Sequence, residues 1–268
     1  MNIKIFCICI HNNILDKIKK LNYIPVGLGS DEFSPEWITD KTGENIAHKN
    51  NYYGEYTFHY WFWKNFLPKF QNNEWIGFCA YRRYWSNKKN IEKDKINNIY
   101  DHALKDVPEE WNDFEVILGD HMKLDYINWM KVIKYGKKAF LKNPYVIKKS
   151  KRNIKFHFDM FHGVGILDKA IDLLDDNNRE DFRKFVYEKT SYNQGNMFIT
   201  KSKEIMNNYY KTIFSWLEKC EKEFGFELEG YGKKRIYAFL AERFLPFWFK
   251  KNYKTMEWPI FFYDIRKE

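Results

Sequence analysis

Two adjacent arginines follow an apolar run in the stretch "IGFCAYRRYW", where Arg82 and Arg83 lie between two tyrosines. Arginine carries a planar fork of N–H donors that stays charged at any working pH and matches a phosphate or carboxylate. Ligands of open α/β sheets bind at the carboxyl ends of strands. If the apolar run is a strand, we expect Tyr81, Arg82 and Arg83 to hold a diphosphate. The alternative is that the arginines pair with acids such as Glu55 or Glu44.

A second polar cluster lies just before an aromatic stretch. Its candidate ligand-binding residues are Asp40, Asn45, Lys49 and Asn50. A lysine suits a phosphate, and the asparagine amides suit the hydroxyls of a nucleotide or sugar. Asparagine is also a frequent N-terminal cap of helices, so capping is a second interpretation that is compatible with binding.

The sequence lacks the motifs that are typical of several enzyme classes. The sequence has no Walker A pattern, no G-x-G-x-x-G after its first apolar run and no nucleophile elbow, which argues against P-loop, dinucleotide and serine-hydrolase chemistry. Asp-x-Asp, which holds a divalent metal in many nucleotide-sugar enzymes, is also absent. No Cys/His cluster has zinc-ligand spacing. We therefore predict no metal site, although a divalent metal is not excluded.

The composition favours a globular protein with anionic partners. The 268 residues are 44% hydrophobic and 20% aromatic, with a net charge of +9. The aromatic excess fits either stacking on sugars or bases, or a thick aromatic core. The four cysteines are interpreted as reduced core thiols of a cytoplasmic protein. No stretch has the pattern of a signal peptide or the length of a membrane span.

Apolar runs alternate with helical patterns along the first two thirds of the chain. Strands are predicted in "IKIFCICI", "IPVGLGSDEF", "EWIGFCAY", "DFEVILG" and "GNMFITKS". Helices are predicted over residues 50–66, 125–141, 158–174, 203–224 and 233–250, and the polar residues 89–105 are either helical or irregular. This order predicts an α/β fold with a mainly parallel central sheet and a helix-rich C-terminal part. The apolar tail "WPIFFYDIRKE" is expected to pack against the body.

The motifs taken in order resemble one bacterial family. They are "IPVGLGSD", "GENI-x-x-KN", "YW-x-WKN", "YRRYW", "NMFI" and "AERF". The family, formerly labelled a domain of unknown function, comprises capsular and exopolysaccharide glycosyltransferases. The resemblance spans about residues 1 to 250 and is weakest over 120 to 190. One departure is Ala80, where family members often have histidine.

This resemblance implies a GT-A-like fold in a single domain, 1–268, with a nucleotide-binding half (about 1–120) and an acceptor half (about 121–268). It implies transfer of a hexose or related sugar from a nucleotide sugar, with a UDP-sugar favoured, to a growing capsular polysaccharide or glycolipid. Arginine charge would then replace the metal on the leaving diphosphate. "YNQGNMFI" resembles a strand that lines the sugar in related transferases, so Asn193 and Asn196 become candidates for contacts with sugar hydroxyls.

An inverting transferase also needs a base that takes the acceptor proton. The candidates are Asp159, which His157 and His162 flank, and Glu242 in "AERF". For Glu242 the alternative is an ion pair with Arg243 or Arg235. The sequence does not decide between inversion and retention.

Two other classes stay open: a non-catalytic polysaccharide-assembly protein that keeps the fold, and, less favoured, a nucleic-acid-binding protein, for which no RNP-like motif is found. The expected location is the cytoplasm, with the inner face of the membrane as an additional site. Membrane contact is considered for residues 243–254, "RFLPFWFKKNYK", where aromatic residues neighbour lysines. The alternative is that these aromatic residues belong to the core.

Overall fold

The computed structural model describes residues 3–72, 74–124 and 136–267, apart from the side chains of Lys95 and Tyr231. Each run predicted as a strand contains one. In chain order the strands are β1 Ile3–Cys9, β2 Ile24–Gly27, β3 Ile38–Thr39, β4 Trp75–Ala80, β5 Arg83–Trp85, β6 Val116–Gly119, β7 His121–Lys123, β8 Ser191–Asn193, β9 Phe198–Thr200, β10 Thr255–Trp258 and β11 Ile260–Phe262. The sequence patterns did not predict β3, β5, β7, β8, β10 or β11.

The central sheet has the strand order β10-β6-β9-β4-β1-β2-β3. Neighbouring strands in this order are parallel except at β9, which is antiparallel to both β4 and β6. The prediction of a mainly parallel sheet is therefore confirmed. All of these strands except β9 end at one edge, which we call the carboxyl edge. β5 pairs with the end of β4 and with β11. β7 and β8, which are distant in the chain, form a separate two-stranded antiparallel sheet.

The helices cover both faces of the sheet. They are α1 Leu15–Lys20, α2 Asn50–Tyr53, α3 Tyr56–Trp61, α4 Ile99–His102, α5 Lys137–Lys142, α6 Ile154–His162, α7 Ile166–Asp172, α8 Asp176–Glu188, α9 Lys203–Phe224, α10 Tyr231–Lys234 and α11 Ile236–Asn252. The predicted helix over 203–224 matches α9. Part of the predicted helix over 125–141, residues 125–135, lies outside the described residues. Residues 89–105 are mostly irregular apart from α4 and a 3₁₀ turn.

Glycines divide two of the predicted helices. The segment 50–66 breaks at Gly54, where φ is 55°, and continues from α3 as a π-helical stretch, Phe62–Phe66. The segment 158–174 breaks at Gly163 and Gly165, where φ is 108° and 84°. Other residues rarely adopt these positive φ angles, and the chain uses them to change direction between helices.

The aromatic residues mainly build the core, which lies on both faces of the sheet. Phe6 of β1 packs on the side of α3, α9 and α11, whereas Cys7 faces the other side, because side chains alternate along a strand. All four cysteines are buried free thiols, as predicted. The C-terminal tail packs on the second side through Trp258, Phe261 and Ile265, which confirms its predicted position.

The stretch 243–254 also belongs to this core. Phe244, Phe247, Trp248 and Phe249 are at most 7% exposed. Two of the neighbouring lysines are engaged as well: Lys250 pairs with Glu257, and Lys251 pairs with Asp181. The core interpretation of the aromatic residues is thus correct, and the stretch presents no apolar surface to a membrane. Among the described residues, no helix is both long and apolar enough to span a bilayer.

Candidate functional site

The two arginines lie in a tight turn at the carboxyl edge. Ala80 pairs with Arg83, so the chain reverses within Tyr81 and Arg82 and returns as β5. The Tyr81 N–H donates to the Ile8 carbonyl oxygen at 3.1 Å, and the Tyr84 hydroxyl donates to the Tyr81 carbonyl oxygen at 2.7 Å. These bonds fix the turn against β1, and the two guanidinium groups follow it at the end of a core strand.

Neither arginine has a carboxylate within ion-pair distance in the described part of the chain. The guanidinium of Arg82 donates to the Tyr81 hydroxyl and lies over its ring, with 4.7 Å from Cζ to the ring centroid. Arg83 is exposed. The charge of Arg82 contributes to a lowered pKa of Asp264, although the hydrogen bonds from Arg266 are the main cause.

The acids considered as partners of these arginines are engaged elsewhere. Glu55 accepts from Arg235 at 3.1 Å, and Glu44 pairs with Lys64 at 3.3 Å. Glu44 also accepts a hydrogen bond from the Tyr60 hydroxyl, and this bond is the main cause of its lowered pKa. The positive charge of the turn is therefore left for another anion.

A cleft of about 500 Å³ opens where β1, β2 and β3 end, and we call it the β1–β3 cleft. Its lining residues are Ile10, His11, Leu28, Gly29, Ser30, Asp31, Asp40, Lys41, Ala47, His48, Asn50 and Asn51. The His11 ring meets the Tyr81 ring edge to face, with 5.1 Å between centroids. This contact joins the cleft to the arginine turn.

Asp40 is the buried carboxylate of this cleft. It is 2% exposed, and its Oδ2 atom has no hydrogen-bond partner. Burial raises the pKa of Asp40, and the Thr57 hydroxyl and Lys41 partly oppose this effect. Buried acceptors in folded proteins are nearly always paired, so a lone one on a cleft wall suits a donor group of a ligand. Asn50 lies nearby and donates to the Gly54 carbonyl oxygen and the Thr57 hydroxyl.

Two predicted ligand-binding residues have other contacts. The Asn45 side chain donates to the Gly43 carbonyl oxygen and accepts from the Ala47 N–H. These are local turn contacts and not the helix capping considered above, since the N-caps of the next two helical segments, Ile46 and Lys49, form no side-chain capping bond. The Lys49 ammonium pairs with both carboxylate oxygens of Glu221, at 2.7 and 2.8 Å. Lys49 lines a different groove, on the other side of α2. The structure therefore does not bring either side chain into the β1–β3 cleft.

A second cleft, of about 240 Å³, lies on the other side of the turn, and we call it the Arg83 cleft. Its lining residues are Arg83, Lys93, Asp120, His121, Met122, Gln194, Ile260, Phe261 and Phe262. Asp120 pairs with Lys93 and accepts from the Ile260 N–H at 3.0 Å. The arginine turn thus lies between two clefts on one edge of the sheet.

The two predicted asparagines lie at the end of β8 and in the loop that joins it to β9. Asn193 donates to the Gly119 carbonyl oxygen at 2.6 Å and to Glu257 at 3.0 Å. Asn196 donates to Glu55 at 2.7 Å. Both side chains are buried, and the amide oxygen of each has no partner. Their NH₂ groups hold this region in place, while their two buried amide oxygens remain unsatisfied.

Glu242 is held against this loop from α11. One carboxylate oxygen accepts from the Gly195 N–H at 2.8 Å, and the other pairs with Arg243. Arg243 in turn lies 4.9 Å from the centre of the Tyr192 ring. The predicted ion pair with Arg243 is therefore present, and it fixes a carboxylate next to Gly195, the neighbour of Gln194 in the Arg83 cleft.

Asp159 has a different environment. Its side chain is fully buried and pairs with Lys155, which also lies 3.2 Å from Asp168. Burial raises the pKa of Asp159, and the Lys155 ammonium partly opposes this effect. Neither Asp159 nor Glu242 lines a cleft, but Glu242 contacts Gly195, which is next to Gln194 of the Arg83 cleft. Of the two candidate bases, the geometry favours Glu242.

Among the polar cleft residues that the sequence reasoning missed, three follow predicted strands: His11, Asp31 and Asp120. His11 comes after β1, Asp31 lies in the loop after β2 and Asp120 directly follows β6. The signal was available, because every parallel strand delivers its next residues to the carboxyl edge. The described residues contain no group of three or more His, Cys, Asp or Glu side chains placed for a metal ion.

This architecture is shared with a solved structure. The chain is similar to the apo structure of the bifunctional glycosyltransferase WbbM, with a TM-score of 0.67 and 19% sequence identity. The match covers 98% of this chain but 45% of that one, so the chain spans less than half the length of the similar protein. The shared fold is GT-A-like, as predicted.

The chain belongs to the family of a domain of unknown function, DUF4422, whose model matches residues 4–253. The search of curated proteins found no match.

Proposed function

We propose that this protein is a glycosyltransferase that moves a sugar from a nucleotide-sugar donor, with a UDP-sugar favoured, to a glycan or lipid-linked glycan of a bacterial surface polysaccharide. The shared fold supports a transferase of this class. The observation that carries the proposal is the arginine turn, which presents two positive charges, without a carboxylate partner in the described residues, between two clefts of the carboxyl edge.

The nucleoside occupies the β1–β3 cleft in this proposal. Its volume of about 500 Å³ falls in the range of ligand sites, roughly 300–1,000 Å³. Asp40 offers a buried acceptor for a ribose hydroxyl or a base N–H group. Asn50 and Asn51, from the start of α2, add amide groups to the same wall. Asn45 and Lys49 then support the position of α2 rather than contacting the nucleoside.

The diphosphate lies at the arginine turn. Charge-assisted hydrogen bonds from guanidinium groups are among the strong ones, and they stabilise negative charge as it develops on a leaving group. Arg82 lies beside Tyr81, which contacts the β1–β3 cleft through His11. Arg83 lines the other cleft. Together they span the boundary where the phosphates would link the nucleoside to the sugar.

The sugar and the acceptor meet near the Arg83 cleft and the β8–β9 loop. An acceptor hydroxyl oxygen attacks the anomeric carbon, the bond from that carbon to the diphosphate oxygen breaks, and Glu242 takes the hydroxyl proton. Gly195 and Arg243 hold the Glu242 carboxylate in place. Asn193 and Asn196 keep the loop in position, and their unsatisfied amide oxygens suit sugar hydroxyls. In this mechanism the arginines do the electrostatic work, and no metal is required.

The test is calorimetric titration with UDP, GDP and CMP, followed by assays of hydrolysis of the matching nucleotide sugars. We expect one nucleotide to bind and Asp40→Asn to weaken it about tenfold, since a hydrogen bond to a charged group contributes roughly 1.5–3 kcal/mol. Asp113→Asn is the matched control, because Asp113 is exposed and precedes β6 at the opposite edge of the sheet.

The outcomes separate the candidate functions. Binding with slow hydrolysis of one nucleotide sugar supports a transferase. Binding without turnover of any sugar donor or transfer to any acceptor favours the non-catalytic assembly protein. Absence of binding to all nucleotides, in a folded protein, contradicts the proposal.

A further inference from the structure

Residues 136–152, "GKKAFLKNPYVIKKSKR", form a strongly basic segment of the surface. We call it the basic segment; it contains six lysines and one arginine and no acidic residue. It consists of α5 and two 3₁₀ turns, Pro144–Ile147 and Lys149–Lys151. None of the motifs discussed above lies in it, and neither cleft includes it.

The basic segment has a defined packing against α6. Ala139 and Val146 are buried in a small apolar cluster with Phe156 and Met160. The buried guanidinium of Arg152 donates to the Val146 carbonyl oxygen at 2.8 Å and to the Ile147 carbonyl oxygen. These contacts hold the segment in a defined conformation. The side chains that point away from α6 therefore form a fixed surface.

The outward side chains are both apolar and basic. Leu141 is 78% exposed, Tyr145 74% and Ile147 62%. They are three of the six large hydrophobic residues that are exposed in the described residues. The six lysines are also exposed, and none forms an ion pair within the described ranges; they are Lys137, Lys138, Lys142, Lys148, Lys149 and Lys151.

We propose that the basic segment docks the protein on an anionic phospholipid bilayer, with Leu141, Tyr145 and Ile147 entering the interface and the lysines meeting the headgroups. Lysines near an anionic leaflet and apolar or aromatic side chains at its surface act together in peripheral binding. A nucleic acid would use the charge but would leave Leu141 and Ile147 in water. A second copy across a two-fold axis would bring twelve unpaired lysines together, which opposes self-association.

The position of the segment connects it to the proposed reaction. Phe156 and Met160 of α6 face the basic segment, whereas His157 of the same helix contacts Arg243, the partner of Glu242. Helix α6 and the Arg243 side chain thus connect the docking surface to the proposed base. This link rests on the proposed function, and it places a lipid-linked acceptor at the bilayer close to the clefts.

The experiment is flotation with two kinds of vesicle at 50 mM and 500 mM NaCl, salt concentrations of roughly the range over which charge screening becomes strong. One kind contains phosphatidylglycerol in phosphatidylcholine, and the other is phosphatidylcholine alone. We expect the protein to float with the anionic vesicles at low salt, to lose most binding at high salt, and not to bind the neutral vesicles.

Two variants and one control test the surface. Lys148→Glu/Lys149→Glu/Lys151→Glu should lower the partition coefficient at least about 100-fold, since loss of each lysine costs about fivefold near an anionic leaflet and the new negative charges add to that loss. Leu141→Ser/Tyr145→Ser/Ile147→Ser should lower it at both salt concentrations. The control, with the same change of charge, is Lys88→Glu/Lys89→Glu/Lys105→Glu, whose lysines are exposed elsewhere.

Failure of the docking proposal is distinct from failure of the proposed function. All of these substitutions are at exposed residues outside the clefts, so nucleotide binding should be unchanged in each variant. The docking proposal is overturned if the wild type does not float at low salt, if the Lys148 variant binds as well as the control, or if a single-stranded RNA binds the segment while vesicles do not. Sedimentation that shows a dimer lost in the Leu141 variant, without vesicle binding, also overturns it.

Discussion

Two regions of the molecule place polar groups among aromatic rings, but they differ in how far those polar groups are paired within the protein. At the carboxyl edge, Arg82, Arg83 and Asp40 have unmet electrostatic or hydrogen-bonding capacity within the described residues. In the aromatic layer between α3 and α9, the Tyr56 and Tyr209 hydroxyls pair at 2.6 Å. In the same layer, Nδ1 of His59 lies 2.8 Å from the Tyr210 hydroxyl, and only Nε2 of that ring lacks a partner among the polar atoms named here.

This difference in pairing predicts which residues contribute to ligand binding and which contribute to the stability of the fold. Paired buried groups contribute to the folded state, and breaking one pair leaves its partner unsatisfied. Unpaired charges at a surface contribute little to folding but remain able to meet a ligand. We therefore expect substitutions of the two arginines to change ligand binding at nearly constant stability, and substitutions in the aromatic layer to change stability at nearly constant binding.

The largest effect is expected for Arg82→Ala/Arg83→Ala. Loss of two charge-assisted contacts to the diphosphate should weaken nucleotide binding by roughly 3–6 kcal/mol, at about 1.5–3 kcal/mol each. Calorimetry measures the affinity and thermal unfolding checks the fold. Lys88→Ala/Lys89→Ala removes the same charge from a nearby exposed site and should leave the affinity within about twofold. Unchanged nucleotide affinity in the arginine variant, with the fold intact, would show that the turn does not bind the diphosphate.

Glu242→Gln tests the proposed base. The glutamine oxygen can still accept from the Gly195 N–H, so the loop should stay in place while the proton acceptor is lost. We expect the transfer rate to fall about 10²–10⁴-fold, the usual contribution of a general base, with little change in nucleotide affinity. Asp159→Asn should leave the rate unchanged, although both substitutions lower stability, because each weakens an ion pair, with Lys155 or with the buried Arg243. A rate that falls for Asp159→Asn but not for Glu242→Gln would reverse the assignment.

The aromatic layer gives a prediction about pH. Burial lowers the pKa of His59 to about 3. An unfolded histidine titrates near 6.5, so between these values the unfolded state binds a proton that the folded state excludes. The free energy of unfolding should therefore fall as the pH drops from about 6.5 towards 3, by at most about 1.4 kcal/mol per pH unit from this residue.

Urea denaturation of the wild type and His59→Leu at several pH values measures this slope. The variant lowers the absolute stability, since the Tyr210 hydroxyl loses its partner, but it should flatten the dependence on pH. Comparison of the two slopes removes the contributions of Asp40 and Asp159, whose pKa values burial raises. Equal slopes in both proteins would contradict the role of His59.

Much of the fold could be predicted from the sequence, because buried parallel strands appear in it as continuous apolar runs. That is why β1, β4 and β6 were predicted, whereas β5 and β11, three residues each, depend on partners distant in sequence. The location of the arginines could be inferred from the end of β4. The absence of acidic partners for the arginines could not be inferred from the sequence. Glu55, for example, pairs with Arg235, which is 180 residues away in the chain.

Two stretches that combine lysines with apolar residues show again that composition does not predict burial. Residues 243–254 and the basic segment are alike in composition, but the large apolar side chains are mostly buried in the first stretch and several are exposed in the second. The apolar side chains of α11 pack between other elements, for example Phe244 against Phe182 of α8 and Trp216 of α9. The basic segment packs against α6 through Ala139 and Val146 and leaves Leu141, Tyr145 and Ile147 outside. Composition indicates the kind of partner, and only packing decides which surface meets it.

The smallest effect is expected from removal of divalent metals. A metal ion in a transferase neutralises the departing phosphate, and here two arginines are proposed to do so. The chain has no Asp-x-Asp, and the described residues have no cluster of three metal-binding side chains. EDTA should therefore change the transfer rate by less than about twofold, and Mn²⁺ should not restore nucleotide binding to Arg82→Ala/Arg83→Ala, because no set of carboxylates would hold it there. Activity that EDTA abolishes and Mn²⁺ restores would show that the arginines assist a metal rather than replace it.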